Sequence, residues 1–250
     1  MLHSKALREL GQVSLAVVQL EPAPKSVLTR VDLFADLDRA QQIALEQAGR
    51  YRRFSAQELI LERDSTATDL CMIIQGRARV VNYSLAGREI SFADLSAGDY
   101  FGELSTIDGQ PRCTGVVALE DSLILTLPRR MVLAVLVEYP QVALKVMQRM
   151  ARNLRSANER IMDLSTLAAQ DRVHAELLRQ AQSHKTIANT AVIEPIPVHS
   201  DIASRVSTTR ETVARVLNDL ARQGIVERTR KALVIRNFHR LQTMVQEVRG

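Results

Sequence analysis

The sequence predicts an α+β chain in which a β-rich part, one long helix and a small helical part follow one another. Short alternating apolar runs separated by glycine continue to about Leu127, which is typical of an antiparallel sandwich or barrel. Residues 140–169 contain no glycine and have a helical apolar period. Two short helical patterns and a hairpin pattern then follow in the last third.

The β-rich part is predicted from strands that recur about every ten residues. Its clearest runs are Glu58–Glu62, Asp69–Gln75, Arg77–Tyr83 and Arg88–Leu95. We place the domain boundaries where the pattern changes. This gives an N-terminal extension (1–24), a β domain (25–137), a long helix (138–169) and a C-terminal domain (170–250).

The long helix carries a narrow apolar seam. Steps of three and four residues alternate along it, which is the spacing of a two-stranded coiled coil. A helix that packs on its own domain usually has a broader apolar face, so we interpret the seam as a homodimer interface. The seam positions are Met147, Met150, Leu154, Ala157, Ile161, Leu164 and Ala168.

The net charge of +5 is concentrated at the C-terminal end. Residues 1–170 contain 20 basic and 20 acidic side chains, whereas residues 171–250 contain 13 and 8. Such an excess is typical of a domain with a polyanionic partner such as double-stranded DNA, but charge alone does not decide for one. A basic domain without such a partner is the alternative.

Composition also argues against several other classes of protein. Two distant cysteines support no disulfide framework and suit a reducing cytoplasm. No apolar run reaches the length of a membrane span, so we expect no membrane partner. The apolar stretch 11–20 lacks a cleavage site and is interpreted as a helix rather than a secretion signal. We expect no enzymatic activity and no metal, because the sequence has no histidine–aspartate cluster, nucleophile elbow or P-loop.

Two helical patterns in the C-terminal domain predict a DNA-binding element. Ser200 and Asp201 are predicted to cap the first helix, and Thr208 with Glu211 three residues later fits a capping box for the second. The exposed N-terminal turn of such a second helix contacts base edges in the major groove, and a basic hairpin after it suits phosphate contacts. Glu211 has the alternative role of a local cap. The predicted DNA contacts are Thr209, Arg210, Glu211, Arg215, Arg230 and Lys231.

The segment from Tyr100 to Cys113 has features that suit a phosphate. Gly102 permits close approach of the backbone, and the turn into a short helix presents free N–H groups. Arg112 offers a planar fork to an anion, and Glu103 offers an acceptor for a ribose hydroxyl. The alternative is an ordinary surface ion pair between Glu103 and Arg112.

Two motifs carry a resemblance to a known family. The segment Phe101-Gly102-Glu103-Leu104 with Pro111-Arg112 is similar to a cyclic-nucleotide phosphate cassette, and residues 210–215, Arg-Glu-Thr-Val-Ala-Arg, resemble the recognition-helix motif of the CRP/FNR family of bacterial regulators. The resemblance covers about residues 25–237. It implies an antiparallel β jelly-roll barrel, a dimerisation helix and a winged helix-turn-helix, with RNA polymerase as a further partner.

The resemblance also implies roles for residues. Glu103 would hold the ribose and Arg112 the cyclic phosphate, while Gly102, Leu104 and Cys113 would complete the cassette. Alignment of the central helix places Asn158 near the base, where its amide suits cAMP and, after a flip, cGMP; we favour cAMP. The alternative functions are a ligand-independent regulator of the same fold and a redox sensor that uses Cys71 and Cys113.

Overall fold

The structure is a computed structural model that divides into two compact units. Described residues of the first unit are 26–82 and 93–150, and those of the second are 83–85, 87, 89–92, 151–182, 186–187 and 189–249. The predicted N-terminal extension lies outside the described residues. Among the described helices, none alone has the length and hydropathy of a membrane span, although two that are separated by a 109° bend reach these values together.

The described residues form the following helices and strands. The helices are α1 (Arg39–Ala48), α2 (Glu103–Asp108), α3 (Arg129–Glu138), α4 (Pro140–Thr166), α5 (Ala169–Gln182), α6 (His199–Arg205), α7 (Arg210–Arg222) and α8 (Phe238–Arg249). The strands are β1 (Arg50–Phe54), β2 (Leu59–Leu61), β3 (Leu70–Gln75), β4 (Arg77–Tyr83), β5 (Glu89–Ser96), β6 (Tyr100–Phe101), β7 (Gly115–Ala118), β8 (Ser122–Leu127), β9 (Thr186–Ile187), β10 (Thr190–Ile193), β11 (Val226–Arg228) and β12 (Leu233–Ile235). The predicted α+β class is confirmed.

Two four-stranded sheets, in the orders β1-β8-β3-β6 and β2-β7-β4-β5, make up the β domain. Strand β3 is buried on both faces, which explains its continuous apolar sequence. Cys71 and Ile73 face a core between the sheets, whereas Leu70 and Met72 face a second core beneath the helices. Alternate residues therefore serve different cores, as the two-residue period of a strand requires.

The second unit packs its helices around the sheet β11-β12-β10-β9. Two buried carboxylates connect the helices within it. Asp163 on α4 accepts from Arg179 of α5 at 2.9 Å and from Arg249 of α8 at 2.7 Å. Glu176, 1% exposed, pairs with Arg179 and with Arg205 of α6. These pairs link α4, α5, α6 and α8 by charge-assisted hydrogen bonds.

Helix α4 runs over 27 residues and leaves most of the predicted seam uncovered in the single chain. Met147, Leu154 and Ile161 are each at least 57% exposed. Such a continuous apolar stripe is typical of an interface. The predicted length is slightly wrong: the helix ends at Thr166, so Ala168 lies beyond it. Leu167 turns into the core of the second unit there.

Candidate nucleotide and DNA sites

The cassette begins where β6 turns into α2. Gly102 caps this helix with a φ of +83°, a left-handed conformation that favours glycine. A Cβ atom at this position would overlap Nη1 of Arg112. Gly102 is therefore required both by the backbone turn and by the close approach of the arginine.

Arg112 is the most unusual side chain of the first unit. It is only 2% exposed, yet neither it nor Glu103 forms an ion pair within the described parts of the chain. Its Nη1 donates to the carbonyl of Gly102 at 2.7 Å, and its Nη2 donates to that of Asp69 at 2.5 Å. Its Nε is buried and has no partner among the described residues. The predicted alternative of a Glu103–Arg112 ion pair is wrong.

The other predicted nucleotide-binding residues differ in exposure. Glu103 is half-buried at the first position of α2, and Leu104 beside it is 41% exposed. Cys113 is exposed directly after Arg112. Asn158 is exposed on α4 in the second unit. The structure thus brings Gly102 and Arg112 into contact and leaves Glu103 and Cys113 accessible beside them.

The two cysteines have different surroundings. Cys71 is 1% exposed in the core between the sheets. Burial raises the pKa of its thiol to about 12, with smaller opposing effects from nearby arginines. A thiol with such a pKa is protonated at neutral pH and reacts poorly. Cys71 is therefore a small buried residue of the core, and this burial argues against a redox role for it.

The predicted pair of DNA-binding helices is α6 followed by α7. In α7, Val213, Val216 and Leu220 are buried, whereas Arg210, Glu211 and Arg215 are exposed. The amphipathic pattern thus determines which face of α7 remains exposed and available to a groove of DNA. Arg172 of α5 holds the intervening turn by donating to the carbonyls of Val206 at 2.8 Å and Ser207 at 3.1 Å.

Both predicted helix caps are wrong, by two or three residues in α6, whose N-cap is Val198, and by one residue in α7. Helix α6 begins at His199, so Ser200 and Asp201 lie inside its first turn. Helix α7 is capped by Thr209, whose hydroxyl accepts from the N–H of Thr212 at 3.2 Å. Thr208 donates its N–H to the carbonyl of Ala203 and so belongs to the turn. The side-chain cap at Thr209 satisfies a free N–H group of the first turn.

Two side chains on this surface have lowered pKa values. Hydrogen bonds from its own backbone N–H and from Thr209, with the charge of Arg210, lower the pKa of Glu211. Partial burial and the charges of Arg228 and Arg210 lower the pKa of His199. Sequence reasoning did not select His199; its position at the start of α6 becomes meaningful only once the fold brings it near these arginines.

The hairpin of β11 and β12 presents the remaining predicted contacts. Arg230 and Lys231 are exposed in its turn and form no ion pair with other described residues. Thr229 closes the turn, because its N–H donates to the carbonyl of Ala232 at 2.9 Å. Arg236, by contrast, forms an ion pair with Glu227 at 2.6 Å. Part of the positive charge of the hairpin is therefore neutralised within it.

Comparisons with known families match both parts of the chain. A cyclic nucleotide-binding domain matches residues 51–139, and a Crp-like helix-turn-helix domain matches residues 171–244. The fold of a CooA mutant from Carboxydothermus hydrogenoformans is similar, with a TM-score of 0.73 and 21% identity over 91% of this chain and 98% of that one.

Two relatives support the same assignment. The chain is 34% identical over 157 residues to the cyclic AMP receptor protein of Thermus thermophilus, which is 63% of this chain and 70% of that protein. It is 25% identical over 216 residues to the CRP-like cAMP-activated global transcriptional regulator of Mycobacterium tuberculosis, or 86% and 96% of the two chains. These relatives are regulators, not enzymes. The chain belongs to the CRP/FNR family and is a DNA-binding transcription regulator with a cyclic-nucleotide-binding domain.

Proposed function

We propose that this regulator responds to cAMP, whose cyclic phosphate binds Arg112. The observation that carries this proposal is the buried guanidinium without a carboxylate partner. Burying a charge is costly unless it is paired, and two neutral carbonyls do not compensate it. A phosphate supplies the missing negative charge and accepts from a planar fork.

The remaining cassette residues suit the rest of the nucleotide. Glu103 accepts from the ribose 2′-hydroxyl, and Gly102, Leu104 and Cys113 line the same turn. Asn158 is the proposed contact to the base. The similarity to a cyclic AMP receptor protein and to a cAMP-activated regulator supports cAMP as the effector. The alternative is cGMP, because an amide offers both a donor and an acceptor.

On the DNA side, we propose a homodimer that binds a two-fold symmetric operator. The exposed seam of α4 supports self-association. A two-fold dimer presents two recognition helices about one helical turn apart. Half-sites related to TGTGA are expected from the family. Arg210, Glu211 and Arg215 would contact base edges, whereas Thr209, Arg230 and Lys231 would contact phosphates. RNA polymerase is the proposed partner of the DNA-bound dimer.

An operator titration tests this function. Fluorescence anisotropy of a labelled TGTGA palindrome measures affinity with no nucleotide, with cAMP and with cGMP. We expect cAMP to tighten binding, because a ligand that favours the DNA-competent state shifts the equilibrium toward it. A scrambled duplex of equal length is the control for the sequence-independent contribution. Equal affinities for the two duplexes with cAMP present would contradict the proposal.

A further inference from the structure

We infer that Asn82 is a specificity-determining residue of the nucleotide site, whose side-chain carbonyl oxygen accepts a hydrogen bond from the bound nucleotide. This inference rests on the proposed function of the cassette. Asn82 is absent from the residues that the sequence motif selects, because it lies about 20 residues before the cassette, on β4.

The position of Asn82 on its strand is the first argument. Ala78 and Val80 contribute to the core between the sheets, from alternate positions of β4. Because alternate residues of a strand share a face, Asn82 lies on this core-facing side. It is half-buried, at a position where the pattern calls for an apolar residue. A polar residue at such a position requires a polar partner.

The hydrogen bonds of the amide are the second argument. Nδ2 of Asn82 donates to the carbonyl of Cys113 at 3.3 Å, so the amide touches the residue that follows Arg112. Oδ1 is fully buried and has no partner among the described residues. The opposite amide orientation would set two acceptors, Oδ1 and the Cys113 oxygen, against each other. The backbone carbonyl of Cys113 therefore determines the orientation of the amide and leaves Oδ1 as an acceptor without a partner among the described residues.

The chemistry of the ligand then limits what Oδ1 can accept. An ionised cyclic phosphate has no N–H or O–H group, so the donor must come from the sugar or the base. The single proton of the ribose 2′-hydroxyl is assigned to Glu103, so the remaining candidate is the exocyclic amine of the purine, which has two N–H groups. This amine is a neutral donor, and it would satisfy an oxygen that is otherwise buried without a partner, which is a costly state.

Calorimetry with nucleotide analogues tests the inference. The full chain and Asn82→Leu are titrated with cAMP, with 2′-deoxy-cAMP and with cyclic purine riboside monophosphate, which lacks the 6-amine. In the wild type we expect cyclic purine riboside monophosphate to bind about threefold to tenfold more weakly than cAMP, and we expect 2′-deoxy-cAMP to bind more weakly because it lacks the contact to Glu103. In Asn82→Leu the preference for cAMP over the purine riboside should fall by the same factor, whereas the preference over 2′-deoxy-cAMP should persist.

The design separates specificity from folding. A preference is a ratio of affinities within one variant, so a partly unfolded sample lowers both affinities and leaves their ratio unchanged. Asn82→Ala removes the same oxygen with a smaller side chain and should give the same loss. The matched control is Asn218→Leu, an exposed asparagine on α7, which should retain both wild-type preferences.

Two outcomes would overturn the inference, and they are distinguishable. If the wild type binds cAMP but both preferences persist in Asn82→Leu and Asn82→Ala, Asn82 does not contact the nucleotide and the proposed function stands. If the wild type binds none of the cyclic nucleotides, the proposed function fails, and this inference fails with it.

Discussion

Replacement of Arg112 by leucine should abolish the response to nucleotide. An arginine side chain has five N–H donors. Two of them are used by the carbonyls of Gly102 and Asp69, so three remain, including the buried Nε. The structure therefore leaves enough donors for a bidentate contact to a phosphate without breaking the contacts that hold the cassette.

The magnitude follows from the bonds that are lost. A hydrogen bond to a charged group contributes about 1.5–3 kcal/mol, so a two-bond fork is worth about 3–6 kcal/mol. This corresponds to a loss of at least about 100-fold in cAMP affinity. Arg112→Lys keeps the charge but not the fork, so we expect an intermediate loss of about tenfold or more.

The stability of the free protein should change less than its affinity. Arg112→Leu leaves two carbonyl oxygens without donors, which costs about 1–3 kcal/mol each, but it also removes a buried charge that lacks a counterion. These effects oppose each other. Calorimetry gives the affinity, and thermal melting with and without cAMP gives the stability. At 100 times its wild-type Kd, cAMP should stabilise the wild type by about 2.7 kcal/mol and the leucine variant by no more than about 0.4 kcal/mol. A folded Arg112→Leu protein with wild-type affinity would refute the assignment.

Other perturbations test the remaining parts of the molecule. Leu154→Lys or Ile161→Lys places a charge in the exposed seam of α4, so sedimentation of these variants should show monomers. The control Gln148→Lys, which lies outside the seam, should remain dimeric. If the seam variants are dimeric as well, this helix is not the interface. Arg210→Ala should weaken the free energy of operator binding by about 1–3 kcal/mol per half-site and reduce the preference for one base pair. If binding to all sequences weakens equally, Arg210 contacts a phosphate instead. Glu211→Ala should reduce the preference for one base pair of the operator. If only the melting temperature changes, Glu211 acts as a local helix cap and does not contact a base. His199 has a lowered pKa in the free protein, and DNA phosphates favour its charged form, so DNA binding should take up a proton and strengthen as the pH falls. The variant His199→Gln should flatten that dependence, and an unchanged slope would exclude His199. Burial lowers the pKa of His174, with Asp171 opposing it, so the unfolded state binds more protons and the free energy of unfolding should decline as the pH falls through about 6.5. The decline should be smaller in His174→Gln, in which the lowered pKa of His199 still contributes, and an unchanged decline would exclude His174.

The regular elements could be predicted because their patterns are local. The seven-residue period of α4, the buried stripe of α7 and the alternation in β4 each follow from sequence spacing. Gly102 could also be selected as a residue of the candidate site, because a glycine before a short helix indicates a turn that needs a left-handed conformation. The end of α7 is another case, since Gly224 directly follows its C-cap with a φ of +70°.

The features that escaped prediction depend on contacts between distant parts of the chain. Thr208 and Thr209 are equally good caps by residue type, and the choice is made when the N–H of Thr208 pairs with Ala203. The partners of Arg112 are backbone carbonyls, and carbonyls carry no signal in the sequence. Asn82 breaks the apolar alternation of β4, a signal that was present in the sequence. However, its importance emerges only from the contact with Cys113.

The coupling between nucleotide and operator tests the central claim most directly. The affinity of the full chain for cAMP is measured by calorimetry, first alone and then with a saturating excess of the TGTGA palindrome. Because linkage is reciprocal, the operator should tighten cAMP binding by the same factor by which cAMP tightens operator binding. Saturable cAMP binding that the operator leaves unchanged, or no binding at all, would contradict a nucleotide-responsive regulator.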